Sequence, residues 1–267
     1  MIFNNKFLSR IYIVLILTGC QNPIEDRTPP EQPKWVEKST PYAWEEKGID
    51  AENSGNHQIK LEWHRVKDED LAGYRLFSKM RESEEEFQLI GEIDLFQIIG
   101  LDTVFYYDVE VENWYQYYIR AVDNADNLSE PSDTIEYLLL NPPRLIAPLN
   151  TISDNVPSFT WATFDTQFYW ANYFAVRVED VSNLQEISTA WTCFILNNWI
   201  GLSDPIILNY IASDSSAWPS NVLECKYQFD QFPAGTYRWK VIAIFTVDDF
   251  YRAKASGESE WGYFEVE

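Results

Sequence analysis

Polar and apolar residues alternate along much of the chain with a period of two. Ile59, Leu61 and Trp63 interleave with Lys60, Glu62 and His64, the pattern of a strand that buries one face and wets the other. Tyr115, Tyr117, Ile119 and Ala121 interleave in the same way with Gln116, Tyr118 and Arg120. Shorter segments at Tyr74-Arg75-Leu76, Phe87-Gln88-Leu89 and Ile135-Glu136-Tyr137 add strands at the spacing of a sandwich. Charge runs at 67–70 and 82–86 fall between them and read as solvated turns. No stretch carries a convincing helical period for more than three turns, so the chain is expected to be all-β.

The second half repeats the plan. Phe159-Thr160-Trp161 answers Leu61-Glu62-Trp63, and Tyr237-Arg238-Trp239-Lys240-Val241-Ile242-Ala243 answers the run from Tyr115 to Ala121 position for position. Trp63 precedes Ala121 by 58 residues but Trp161 precedes Ala243 by 82, so the second unit carries 24 extra residues. Near Tyr173, the residues Phe174, Val176 and Val178 alternate better than Tyr173 itself. Asn141-Pro142-Pro143, followed by Pro148, supplies few ladder donors and marks the break between units. The expected units are 35–141 and 142–267, with an insertion at about 180–227 of the second.

The first nineteen residues differ. Lys6 and Arg10 precede an apolar run at 11–17, too short for a hydrocarbon core that needs about 20 residues and suited to a secretory signal. The run ends in Leu17-Thr18-Gly19-Cys20, which resembles the lipobox of bacterial lipoproteins. That resemblance implies a signal peptide at 1–19, cleavage before Cys20 and acylation of its sulfur with chains such as palmitate. The mature chain would then be tethered by lipid rather than span the membrane; an ordinary secreted chain is the other reading. Gln21 after the cysteine resembles lipoproteins sorted to an outer membrane, and Glu25-Asp26 resembles acidic surface-export signals. The expected address is the bacterial cell envelope, on the periplasmic face or the cell surface. Pro23, Pro29, Pro30 and Pro33 make 20–34 an extended, semi-rigid tether.

Charge then narrows the partners. Twenty basic and 42 acidic residues give −22, and −24 once Lys6 and Arg10 leave with the leader. Such a chain repels phosphate backbones, which excludes nucleic acid, and favours basic partners or cation-rich surfaces. Hydrophobic residues at 46% and aromatics at 16% exclude disorder, because that much apolar surface offsets the entropy of folding.

A set of ordered positions gives the first unit a family likeness. Leu61-Glu62-Trp63, Asp70-Leu71-Ala72-Gly73-Tyr74, Tyr107-Asp108, Tyr115, Tyr117, Ala121-Val122-Asp123, Asn127, Ser129 and Pro131-Ser132 together resemble the fibronectin type III domain in its bacterial extracellular form, over roughly 29–140. The resemblance implies that Trp63 plugs the space between two sheets, with Tyr74 in the same core, and that Tyr115 bonds its hydroxyl to nearby backbone. Trp161, Ala234-Gly235-Thr236-Tyr237, Ala243, Ser259-Glu260-Trp261, Phe264 and Val266 fit the pattern in the second unit. There Trp161 and Tyr237 take the corresponding core places; 180–227 does not fit. The expected fold is two tandem β-sandwiches of fibronectin type III or immunoglobulin-like type. The family implies binding, spacing or presentation more often than catalysis, although a fold alone does not decide function.

Candidate chemistry is sparse. Cys193 and Cys225 are an even pair in an exported chain, either bridged or held apart as two thiols. Asp123, Asp126 and Asn127 could offer oxygens to calcium, but such residues commonly bond their own turn, and no metal or cofactor is expected. His64 alternates outward and His57 sits in a Ser/Gly/Asn loop; neither accompanies a nucleophile motif, so the chain is not expected to be an enzyme. Seven of the 11 tryptophans follow residue 142. Trp170, Trp191, Trp199 and Trp218 lie outside the repeated core positions, and either fill an enlarged second sandwich or offer faces to a ligand. The leading expectation is a lipid-anchored, non-catalytic protein that mediates protein–protein interaction or positions an envelope or surface partner. A carbohydrate-binding accessory lipoprotein is the alternative, and a passive structural spacer the third.

Overall fold

The structure, a computed structural model, describes residues 27–52, 57–96, 103–163, 171–197, 205–246 and 254–267. Cys20, Trp170 and Trp199 lie outside them. The described residues are strands and connections, with a single 3-10 turn at Ser215–Ala217.

The first sandwich runs through β1 (Lys34–Trp35), β2 (Asp50–Glu52), β3 (Gln58–His64), β4 (Leu71–Met80), β5 (Gln88–Asp94), β6 (Val104–Asp108), β7 (Trp114–Asp123) and β8 (Ile135–Leu139). β3 carries β6 on one edge and both β1 and β2 on the other; β5, β4, β7 and β8 pair in that order as the facing layer. Alternation places Ile59, Leu61 and Trp63 of β3 inward against Tyr117, Ile119 and Ala121 of β7, all buried. Trp63 meets Tyr74 edge-on at 5.2 Å, and the Tyr74 hydroxyl accepts the Val66 amide at 2.9 Å. Tyr115 accepts the Glu110 amide at 3.3 Å. Truncating rings buried this fully costs about 3–5 kcal/mol each.

The second sandwich comprises β9 (Arg144–Ala147), β10 (Thr151–Ile152), β11 (Ser158–Ala162), β12 (Tyr173–Asp180), β13 (Ser188–Leu196), β14 (Ile206–Asn209), β15 (Val222–Tyr227), β16 (Gly235–Phe245), β17 (Ala255–Glu258) and β18 (Gly262–Val266). One layer is β14-β11-β9, and the other is β15-β13-β12-β16 with β17 and β18 both on the far edge of β16. Trp161 repeats the role of Trp63, edge-on to Phe174 at 5.6 Å. Tyr237 donates its hydroxyl to the Pro233 carbonyl at 2.9 Å. The likeness extends to side-chain detail: Ser132 accepts the amide of Ile119 and Ser259 that of Val241, and each donates to the carbonyl of the next residue.

The residues that break the repeat have a place. Within the segment 180–227, β13 pairs along β12, β14 joins β11, and β15 is an additional edge strand on β13. Cys193 and Cys225 stand directly opposite each other there and are bonded. The proline-rich stretch is not wholly a free tether. Pro30 and Pro33 are buried against the first sandwich, Gln32 donates to the Pro131 carbonyl at 2.6 Å, and the Trp35 indole donates to Asp133 at 2.8 Å. Buried proline rings and these hydrogen bonds hold the chain to the domain, so from Pro30 onward it is not a spacer.

Candidate functional site: the seam between the sandwiches

The two sandwiches share a sheet. β8 pairs in parallel with β17, Leu138 opposite Ala255 and Leu139 opposite Ser256, so the β5-β4-β7-β8 layer continues through β17 into the second sandwich as one 11-stranded sheet. The Leu140 amide donates to Ser256 at 2.8 Å and the Leu138 amide to Lys254 at 3.1 Å. Trp114, Leu138 and Leu140, from the first half of the chain, belong to the second hydrophobic core. Gly257 permits this approach: a Cβ there would lie 2.4 Å from the Leu140 carbonyl oxygen.

A second tie comes from an interruption in the first strand. Trp35 on β1 faces Trp63, while Asp50 on β2 faces Lys60. That is 15 steps along the chain for 3 along β3, a surplus of 12 residues in what would otherwise be one strand. The surplus, within residues 36–49, leaves the sheet as a strap and lies over the outer face of β12, β13 and β16. Gly48, at φ 79°, turns it back. Tyr42 packs on Phe194 at 5.8 Å, among Ala175, Ile242 and Ile244. Strap carbonyls are then captured in sequence by second-sandwich side chains. Thr192 donates to Tyr42 at 3.2 Å, Arg177 to Ala43 at 3.1 Å, and both Arg177 and Thr189 to Trp44.

At the strap's return lies a buried ionic network. Lys240 is 2.6 Å from Glu258 and 3.0 Å from Glu46; Lys38 is 2.6 Å from Asp50; Arg177 and Arg238 share Glu179 at 3.0 and 2.6 Å. Four cationic side chains thus face four carboxyl groups. Tyr137 of β8 closes the group, 2.7 Å from the Ser256 hydroxyl and donating to Asp50 at 3.3 Å. Burial raises the Tyr137 hydroxyl well above its usual range, and the Asp50 charge adds to that.

Burial opposes ionisation of Glu46, but the charges of Lys240, Arg177 and Lys38 outweigh it and hold the carboxyl down at about 2. Glu258 goes the other way: burial, with Glu46 and Asp50 adding to it, outweighs Lys240 and lifts it to about 8. For Lys240, burial pulls downward, and the charges of Glu258 and Glu46 more than reverse it. Glu46, Asp50 and Glu258 bring carboxylate oxygens within 4.8 Å of one another, a spacing a metal ion could use. Lys240 and Lys38 already supply the positive charge there, so the donor set does not suit a further cation.

Sequence pattern located part of this. Trp63, Tyr74, Tyr115, Trp161 and Tyr237 all lie in the two cores. Trp191, considered as a ligand face, is instead fully buried, stacked on Phe159 at 5.2 Å with its indole donating to Ile211 at 3.2 Å. An enclosed ring has no face to offer, which corrects that expectation. Trp218 is half-buried and donates to Ser213 at 2.8 Å. Asp123 is an acceptor for the amides of Ala125 and Asn127 and the Asn127 side chain, each at 2.8 Å; its oxygens serve the turn. His57 and His64 are both exposed. The seam residues Glu46, Asp50, Arg177, Lys240 and Glu258 were not singled out. Their signal was the near-continuous apolar run around Val241-Ile242-Ala243-Ile244, which marks a strand covered on both faces.

No family model and no curated protein matches the sequence. Among solved structures, the chain is similar to the FN1–FN3 domains of chicken CNTN1, at 17% identity and a TM-score of 0.32, over 90% of this chain and 67% of that one. It is also similar to the Clostridium perfringens spore cortex lytic enzyme SleM, at 21% identity and a TM-score of 0.27, over 42% of this chain and 29% of that one. The sandwich class stands on the strand pairing described above.

Proposed function

We propose that this chain is a lipid-anchored, extracytoplasmic and non-catalytic protein that positions a partner, or mediates a protein–protein interaction, at a bacterial cell envelope. One observation carries the reading: the two sandwiches are joined by a shared sheet, a strap and a buried ionic network. Flexibly linked tandem domains search space, whereas domains joined over a packed, hydrogen-bonded seam hold two surfaces at a fixed separation. A fixed separation is what a positioning protein needs. The strongly acidic chain favours a basic partner face, and Cys20, with the segment that follows it, would set the height above the membrane.

The test combines labelling and capture. [³H]Palmitate incorporation is expected in cells producing the chain and absent from Cys20→Ser. Cross-linking in intact cells is expected to trap a discrete envelope complex that is lost from the Cys20→Ser strain. Label persisting in Cys20→Ser overturns the anchor, and a chain recovered only as a cross-link-free monomer overturns the positioning role.

A further inference from the structure

Beside the seam lies a cleft of about 480 Å³ that the positioning role does not use. Its walls come from both sandwiches and the connection between them: His57 from the first, Pro142 and Pro143 from the linker, and Leu145, Leu149 and Trp261 from the second. The volume falls in the range of about 300–1,000 Å³ that small-molecule sites occupy, and a junction between domains is where such sites commonly form. The cleft is built rather than incidental. Gly262 leaves no side chain where a Cβ would meet Leu149 at 2.7 Å and Leu145 at 2.8 Å, so those leucines close on the turn at 259–262. Trp261 is held in place: the Arg238 guanidinium lies 4.1 Å from its ring centre and the Lys240 ammonium 5.1 Å. Both cations are in turn anchored by Glu179 and Glu258. The ring is therefore fixed by the same network that closes the seam.

The lining chemistry selects the ligand class. An indole with leucines and prolines offers an apolar surface, and Arg144, Glu260 and His57 offer hydrogen-bonding groups around it. Arg144 and Glu260 cancel in charge, which makes the cleft locally neutral on a chain of −22. An anion would be repelled by the whole molecule and a cation would gain nothing specific here. An extended peptide adding to a sheet edge needs a run of backbone donors, and the consecutive prolines in this wall have none. A pyranose suits the combination, because its C–H face is apolar while its rim hydroxyls both donate and accept. We propose that the cleft binds a neutral saccharide, with one ring packed against Trp261 and its hydroxyls bonded to Arg144 and Glu260. Because His57 belongs to the other sandwich, the site is complete only when the seam is closed.

The experiment uses the full chain on an array of neutral glycans, followed by calorimetry with the best-bound oligosaccharide. Saturable binding is expected, changing less than about twofold between 50 and 500 mM salt because no ion pair is involved. Trp261→Ala is expected to weaken it about tenfold or more, and the exposed variants Arg144→Ala and Glu260→Gln about threefold or more, each roughly the loss of one contact. Trp218→Ala, away from the cleft, should leave it unchanged. The last three variants keep the test decisive if Trp261→Ala disturbs folding. Absence of any neutral glycan ligand overturns the inference. So does binding that Arg144→Ala and Glu260→Gln leave intact, binding abolished by salt, or capture of peptide alone. None of these outcomes bears on the positioning role, whose own test is lipid labelling and cross-linking.

Discussion

Lys240 Nζ lies 3.0 Å from Oε2 of Glu46, a residue 194 positions earlier in the chain. Glu46 is on the strap of the first sandwich and Lys240 on β16 of the second, so one ion pair spans the whole architecture. Lys240 also holds Glu258 at 2.6 Å, and its own side chain is almost fully buried. Removing one partner of such a group leaves its mates as uncompensated buried charges, which costs more than the pair contributes. Lys240→Met is expected to destabilise the protein by about 3–5 kcal/mol in urea unfolding. Adding Glu46→Gln, which removes the carboxylate that has lost its nearest cation, should recover part of that loss. A single variant within about 0.5 kcal/mol of wild type, the scale of an ordinary surface change, would show that the network is solvated.

The same network sets a pH dependence with two limbs. Glu46, held at about 2, contributes stability that is complete above its ordinary value of 4.5 and is lost as pH falls toward 2. Glu258, lifted to about 8, contributes stability that is complete below 4.5 and is lost as pH rises through 8. Thermal melts should therefore peak near pH 4.5–5 and decline toward both sides. Glu258→Gln should flatten the decline between pH 5 and 8, leaving the acid limb in place. An unchanged alkaline limb in that variant would assign the slope to other groups.

Gly257 tests the shared sheet. A valine there must push β17 away from the Leu140 carbonyl, now within 2.4 Å of where its Cβ would sit. Gly257→Val is expected to cost about 1–3 kcal/mol by overpacking. It should also raise amide exchange selectively at Leu138 and Leu140, whose amides bond across the seam. Protection at those two amides equal to wild type would mean the strands pair without the close approach.

The individual sandwiches were legible in the sequence because each strand buries one face and the period-two alternation survives. Trp63 with Tyr115, and Trp161 with Tyr237, were visible for that reason. The seam was hidden for a physical reason as well. Arg177, Glu179, Arg238 and Lys240 occupy the outward positions of their strands, and charged residues there read as a solvated face. Contact with residues 36–49 covers the face, and alternation is blind to contacts so distant in sequence; the apolar run at Val241-Ile242-Ala243-Ile244 was its one trace. The split of the first strand was equally silent, since β1 contributes two residues and β2 three, too few to show a period. Trp191 misled in the opposite sense: it lies outside the repeated positions because it serves the additional β13–β15 pairing, not because it faces solvent.

The two sandwiches form one body, with the strap as the lock. Residual dipolar couplings, collected for both sandwiches in a single alignment medium, measure this directly. The intact chain is expected to fit one alignment tensor. A chain lacking residues 37–48, which restores an unbroken register from Val36 to Ile49 along β3, is expected to need two. Two tensors in the intact chain, or one tensor surviving the excision, would contradict it.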